Sequence, residues 1–128
     1  MKRRYRLRDK GRFQQVRQEG RSYAHPWLVL CLLPNQLSVS RCGFTVSRRL
    51  GGAVQRNRAR RRISEAIRLV WDLIEPGWDM VLIARPGVNE ADFALLQSAC
   101  LQLLRRAGVL KGTSQPTPGA SETGVEGV

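Results

Sequence analysis

A chain of 128 residues that is 42% apolar has material for one domain around one core, and is too apolar for a disordered basic tail. Its 22 Lys and Arg against 10 Asp and Glu give a net charge of +12, which points to a polyanionic partner. Three cysteines without a C-x-x-C, a longest apolar run of only Trp27–Leu33 and a basic N-terminus without an apolar signal core argue against a disulfide framework, a cysteine metal site, a membrane span and a secretory signal. The cytoplasm is the expected compartment.

The charge is uneven. Residues 1–21 carry nine Lys and Arg against Asp9 and Glu19, and residues 41–68 carry nine Arg against Glu65. Residues 1–7 read as a flexible basic arm. Asp9 is expected to cap a short helix that runs to about Gln18 and stops at Gly20, with Phe13 and Val16 on its apolar face.

Trp27–Leu33, entered after Pro26 and closed by Pro34-Asn35, is a strand-length apolar run. Leu37 and Val39 then alternate with Ser38 and Ser40. The phase slips by one, and Cys42, Phe44 and Val46 alternate around Gly43 and Thr45, which predicts antiparallel sheet with a bulge or break near Arg41–Gly43.

A long helix is predicted from about Val54 to Ile74. Its buried stripe is Ala59, Ile63, Ala66, Ile67, Val70 and Ile74, with Arg58, Arg61, Arg62 and Arg68 on the other side. Arg56 shares the bearing of the stripe but lies ahead of the core. Pro76-Gly77 ends this segment, and Met80–Ala84 reads as a central strand. After the Arg85-Pro86-Gly87 turn, Asn89 is expected to cap a last helix with Asp92 in its first turn. Phe93, Leu96, Cys100, Leu103 and Ala107 form its apolar stripe, and Gly108 ends it. Residues 112–128, rich in Gly, Ser, Thr and Pro, read as a disordered tail beyond a single domain of residues 1–111. The order α-β-β-β-α-β-α is that of an α+β or α/β sandwich, one sheet with helices packed on it.

The most informative stretch is Arg48–Arg62, in which seven of fifteen residues are arginine. It lies where Gly51-Gly52 opens the long helix. The first turn of a helix already carries partial positive charge, so stability alone favours Asp or Glu there. Repeated guanidinium groups beside unpaired N–H groups suit phosphate. A charge run is ordinarily a solvated helix face; here the density of Arg and the scarcity of nearby acid favour nucleic acid.

Catalytic equipment is thin. His25 is the single histidine, so a histidine-pair nuclease fails on inventory. Asp72, Glu75 and Asp79 flank Pro76-Gly77 and read as a solvated turn rather than as metal ligands. There is no phosphate-binding G-x-x-x-x-G-K-[ST] loop, and Gly51-Gly52 reads as a tight turn. Without a helix-turn-helix or zinc-finger pattern, and with one side of the arginine helix committed to the core, RNA recognised by backbone and shape is favoured over DNA.

The segment Gly43-Phe44-Thr45-Val46-Ser47-Arg48-Arg49-Leu50-Gly51-Gly52-Ala53-Val54-Gln55-Arg56-Asn57-Arg58-Ala59-Arg60-Arg61 closely resembles the signature G-x-x-V-S-[KR]-[KR]-x-G-x-A-V-x-R-N-R-x-[KR]-R of the protein subunit of bacterial ribonuclease P. Arg6-Leu7, Phe13-Gln14-Gln15-Val16 before Gly20, and Met80–Arg85 extend the likeness over roughly residues 4–107. The resemblance implies an α/β sandwich with a left-handed β-α-β crossover, the architecture of the second domain of a small-subunit ribosomal protein. It also implies a catalytic RNA as partner, which removes the 5′ leader of precursor tRNA by Mg²⁺-dependent hydrolysis. That Mg²⁺ is held mainly by RNA and substrate; no catalytic or metal-binding side chain, no obligate protein partner and no membrane are implied. Arg48, Arg49, Arg56, Asn57, Arg58, Arg60, Arg61, Arg62 and Arg68 would face the catalytic RNA. A cleft between the first helix and the sheet would take the leader, through Arg12, Phe13, Arg17 and Leu30. Arg17 stands where the family commonly has Phe and Leu30 where it often has Tyr, so cation–π or phosphate contact by Arg17 would replace part of the base stacking. Ala59 and Ser64 are further departures, standing where the family has a larger aliphatic and a basic residue. The alternative reading is a general RNA-binding, ribosomal or chaperone protein with no part in cleavage.

Overall fold

A computed structural model describes residues 2–112. The Asp9 carboxylate accepts from the backbone N–H groups of Gly11 (2.9 Å) and Arg12 (3.2 Å) and starts helix α1, Lys10–Glu19. Gly20 follows it, but not as a left-handed cap, since its φ is −76°. Its hydrogen is needed for close approach: a Cβ there would lie 2.4 Å from the Leu32 carbonyl oxygen and 2.6 Å from that of Val16.

The sheet is built from β1 (Arg21–Ala24), β2 (Leu28–Pro34), β3 (Arg41–Val46) and β4 (Trp78–Ala84). Three strands precede the long helix, as expected, but one of them is not where the pattern placed it. Leu37–Ser40 is loop. The Asn35 side chain accepts from Leu37 N–H (2.8 Å) and donates to the Val39 carbonyl (3.1 Å), and Gln36 sits at φ 57°, so a local turn absorbs the phase slip instead of a bulge. The third strand is β1, whose Arg-Ser-Tyr-Ala sequence has no apolar alternation to announce it. It forms by pairing with β2, Tyr23 opposite Leu30.

The strand order is β1-β2-β4-β3. β1/β2 and β2/β4 are antiparallel, and β3/β4 are parallel. The parallel pair requires a crossover, supplied by helix α2, Ala53–Val70. Helix α3, Phe93–Ala107, joins α2 on one face of the sheet. On that face Leu28, Leu30, Leu32, Cys42, Met80 and Leu82 pack with Ile63, Ile67, Leu96 and Leu103. The other face, Val29, Cys31, Val81 and Ile83, takes Val16 of α1 together with Leu7. The result is a sandwich with the sheet in the middle, of the α+β class expected.

Ala59, Ile63, Ala66, Ile67 and Val70 are the buried stripe of α2, as the spacing predicted. The helix stops at Val70 rather than Ile74. A short 3-10 turn, Trp71–Leu73, follows, because this stretch has other backbone partners: Glu75 N–H donates to Val109 and Lys111 N–H to Leu73, each at 2.7 Å. Asn89 does not cap α3. Asp92 holds that position without a side-chain bond, while the Asn89 amide donates to the Gln55 carbonyl of α2 at 2.9 Å. Gly108 closes α3 in the left-handed region at φ 75°.

The N-terminal segment is not a detached arm. Arg3–Tyr5 form a 3-10 turn, Arg6 bridges Cys42 in parallel, and Leu7 is buried against the α1 face of the sheet. All three cysteines are free and buried. Burial raises the Cys100 thiol pKa to about 12. Of the predicted tail, residues 113–128 lie outside the described residues.

Candidate nucleic-acid interface

The entrance to α2 is assembled by local backbone chemistry. Ser47 Oγ accepts from Arg49 N–H (3.2 Å) and turns the chain through Arg48–Leu50, and Gly51 takes φ 120°, a conformation that disfavours any side chain. Gly52 then opens α2 with no side-chain cap, and no acid stands in the first turn. Arg48, Arg49, Arg58, Arg60 and Arg61 are exposed here, and none is in an ion pair with another described residue. Asn57 accepts from Arg60 at 3.1 Å, so it orients a neighbouring guanidinium as well as presenting its own amide. Arg56 is half-buried, and its Nε has no hydrogen-bond partner among the described residues.

Two arginines of the same helix are engaged elsewhere. Arg62 turns inward and donates to the carbonyls of Val88 and Ala91, tying α2 to the β4–α3 loop. Arg68 pairs with Glu65 one turn back at the surface. Of the sequence-predicted set, the structure thus leaves five arginines exposed along the turn into α2 and its first three turns and directs Arg62 into a loop contact.

Asp79 is not part of a solvated turn; it is fully buried. Arg41 grips it with Nε at 2.8 Å and Nη2 at 2.7 Å, Arg12 donates its Nε at 2.7 Å, and the Asn35 amide donates at 2.9 Å. Burial alone would raise the Asp79 carboxyl pKa, but the hydrogen bonds from Arg41, Asn35 and Arg12 outweigh it and hold the group below its ordinary value. The other Arg12 nitrogens donate to Gln15 and to the Pro34 carbonyl. Arg12 therefore fastens α1 to the sheet rather than standing free for a ligand.

At the far end of α1 a cleft of about 450 Å³ lies between the helix and the ends of β3 and β4, lined by Arg17, Thr45, Ser47, Arg48, Arg49 and Ile83. Arg17 is where a cleft residue was expected. Phe13, one turn earlier, lies over Gly43, where a Cβ would come within 2.2 Å of its ring. Leu30 does not reach this cleft: it is fully buried on the opposite face, against α2 and α3. Strand alternation puts Cys31 on the α1 face instead, where burial raises its thiol pKa and the charge of Arg17 partly offsets the rise. Counting in steps of two from Val29 identifies this face. Thr45, Ser47 and Ile83 carried no signal beyond that parity, since a cleft requires the crossover that brings β3 beside β4.

The family described as Ribonuclease P matches residues 1–108. The chain belongs to the ribonuclease P protein family. The ribonuclease P protein component of Roseiflexus castenholzii is 52% identical over 119 residues, covering 92% of this chain and 98% of that protein. That of Chloroflexus aurantiacus is 50% identical over 118 residues, covering 91% and 87%. Among solved structures, the Staphylococcus aureus RNase P protein superposes with a TM-score of 0.74 at 29% identity, covering 83% of this chain and 97% of that one. The Thermotoga maritima RNase P protein gives 0.72 at 32% identity, covering 79% and 96%. The chain is accordingly a ribonuclease P protein subunit, part of an endoribonuclease complex. Among the described residues of this ribonuclease P subunit no three His, Cys, Asp or Glu side chains gather as a metal-ligand set. No helix among them is long and apolar enough to cross a membrane.

Proposed function

We propose that this subunit docks on the catalytic RNA of ribonuclease P through the α2 entrance and holds the 5′ leader of precursor tRNA in the cleft beside Arg17. The observation that carries the reading is the exposure of Arg48, Arg49, Arg58, Arg60 and Arg61 along a helix start that has no capping side chain and no acid in its first turn. N–H dipoles at the helix start and exposed guanidinium forks along it both suit phosphate groups. Arg56, Asn57 and Arg68 extend the same surface; Arg62 braces it from behind. In the cleft Arg17 supplies charge to leader phosphates, and Thr45 and Ser47 supply hydroxyl groups. Arg12 acts by fixing α1, and Phe13 by its ring. Mg²⁺ for the hydrolysis sits on RNA and substrate phosphates, and the protein's arginines lower the repulsion between the two RNAs.

Reconstitution tests this. Precursor tRNA and Mg²⁺ are incubated with the catalytic RNA, with the protein, and with both. Cleavage should need the RNA, and the protein should tighten substrate binding. Efficient cleavage by protein alone overturns the reading. Equal affinity of the protein for the catalytic RNA and for unrelated structured RNA favours a general RNA-binding protein instead.

A further inference from the structure

The N-terminal arginines belong to neither surface described above, yet the fold gives them a fixed place. The Arg6–Cys42 bridge and the bond from Leu7 N–H to the Cys42 carbonyl (3.0 Å) lay the segment along the outer edge of β3. Arg6 and Arg8 thereby form one wall of a groove of about 570 Å³, and Arg60 and Arg61 of α2 form the other, with Phe13 and Phe44 also lining it. All four arginines are exposed, and none is in an ion pair with another described residue. Among the described residues the one acid lining the groove, Glu65, is bound to Arg68. Phe13 is held at its place by the close fit of its ring over Gly43.

Cationic walls beside aromatic rings are what a single nucleic-acid strand needs: phosphates lie along the walls and bases stack on the rings. An acidic protein surface would satisfy the walls and leave the rings without a planar partner.

Position decides which strand. The groove and the leader cleft follow one another along the same elements. On β3 the groove takes Gly43 and Phe44, and the cleft takes Thr45 to Ser47. On α1 the groove takes Phe13 and the cleft Arg17, one helical turn apart, about 6 Å of rise. That is about two nucleotides of stacked strand. We infer that the groove between the N-terminal segment and α2 continues the leader track and binds the upstream nucleotides of the 5′ leader. The inference rests on the leader reading given above. Arg60 and Arg61 then stand where the leader and the catalytic RNA meet.

The test uses holoenzyme reconstituted with the catalytic RNA, and precursors whose leaders run from about two to about sixteen nucleotides, up to the top of the range single-strand sites cover. The Arg6→Gln/Arg8→Gln variant should bind the shortest-leader precursor as the parent does and lose the affinity gained by lengthening. Its salt slope with the long leader should flatten by about 1.4, for two phosphate contacts on a single strand. Arg8→Glu, which reverses the charge on the same wall, should lose more of that gain. Equal weakening at every leader length, or weakening of the catalytic RNA alone, overturns the extension. An Arg17→Gln control separates the two readings: if neither it nor the double variant responds to leader length, the leader cleft itself is refuted.

Discussion

The Asp79 hub and the entrance to α2 are both made of arginine, and they do opposite things. In the hub, two guanidinium groups close on one carboxylate with no water-exposed surface, and four hydrogen bonds define its position. At the entrance, five guanidinium groups stand in solvent, none of them in an ion pair with another described residue. The chain has 19 arginines and three lysines, and residue type does not tell the two groups apart. What separates them is the location of a single buried acid. Charge satisfied inside the fold gives rigidity; charge left unsatisfied is available to a polyanion.

The largest effect that would break this contrast is loss of the buried acid. Asp79→Ala leaves Arg12 and Arg41 without their counter-ion and should cost about 3–5 kcal/mol, measured by denaturant unfolding. The salt slope of RNA binding, measured on the folded protein, should stay unchanged. A destabilisation under about 1 kcal/mol would place the hub with surface ion pairs.

Acid should expose the same hub. The folded-state pKa of Asp79 lies below its ordinary value of 3.8, so its contribution is fully present above pH 3.8 and is lost as the pH falls through the folded value. Stability measured against pH should therefore decline at the acid end less steeply in Asp79→Asn than in the parent. An identical slope in the two proteins would contradict the ion-pair assignment.

Gly43→Ala should destabilise by about 1–3 kcal/mol, because its new methyl meets the Phe13 ring or forces it aside. Arg62→Gln should cost about 1–3 kcal/mol through the unpaired carbonyls of Val88 and Ala91. It should leave the salt slope for RNA alone, and a slope that flattens by a full phosphate contact would return Arg62 to the binding surface. The smallest effect on stability sharpens the contrast most. Arg58→Glu/Arg61→Glu should stay within about 0.5 kcal/mol of the parent per site. Its affinity for the catalytic RNA should fall, with a slope flatter by about 0.9 for each lost contact to a duplex phosphate.

The sequence alone determined the elements with strong periodicity and the residues with strong chemistry. The α2 stripe from Ala59 to Val70, the Asp9 cap, the Gly108 stop and the arginine-dense helix start all follow from spacings of three and four or from neighbours in the chain. Tertiary structure decided whatever depends on partners distant in sequence. β1 exists because β2 is there to pair with it, and Leu37–Ser40 is loop because Asn35 turns the chain locally. Asp79 is buried because Arg12 and Arg41, 67 and 38 residues away, converge on it. Leu30 faces the core and Cys31 the cleft side because sheet pairing sets which parity of β2 looks toward α1. A local pattern can state what a residue prefers; only the assembled fold supplies the charge, ring or carbonyl that fixes whether that residue faces inward or toward a ligand.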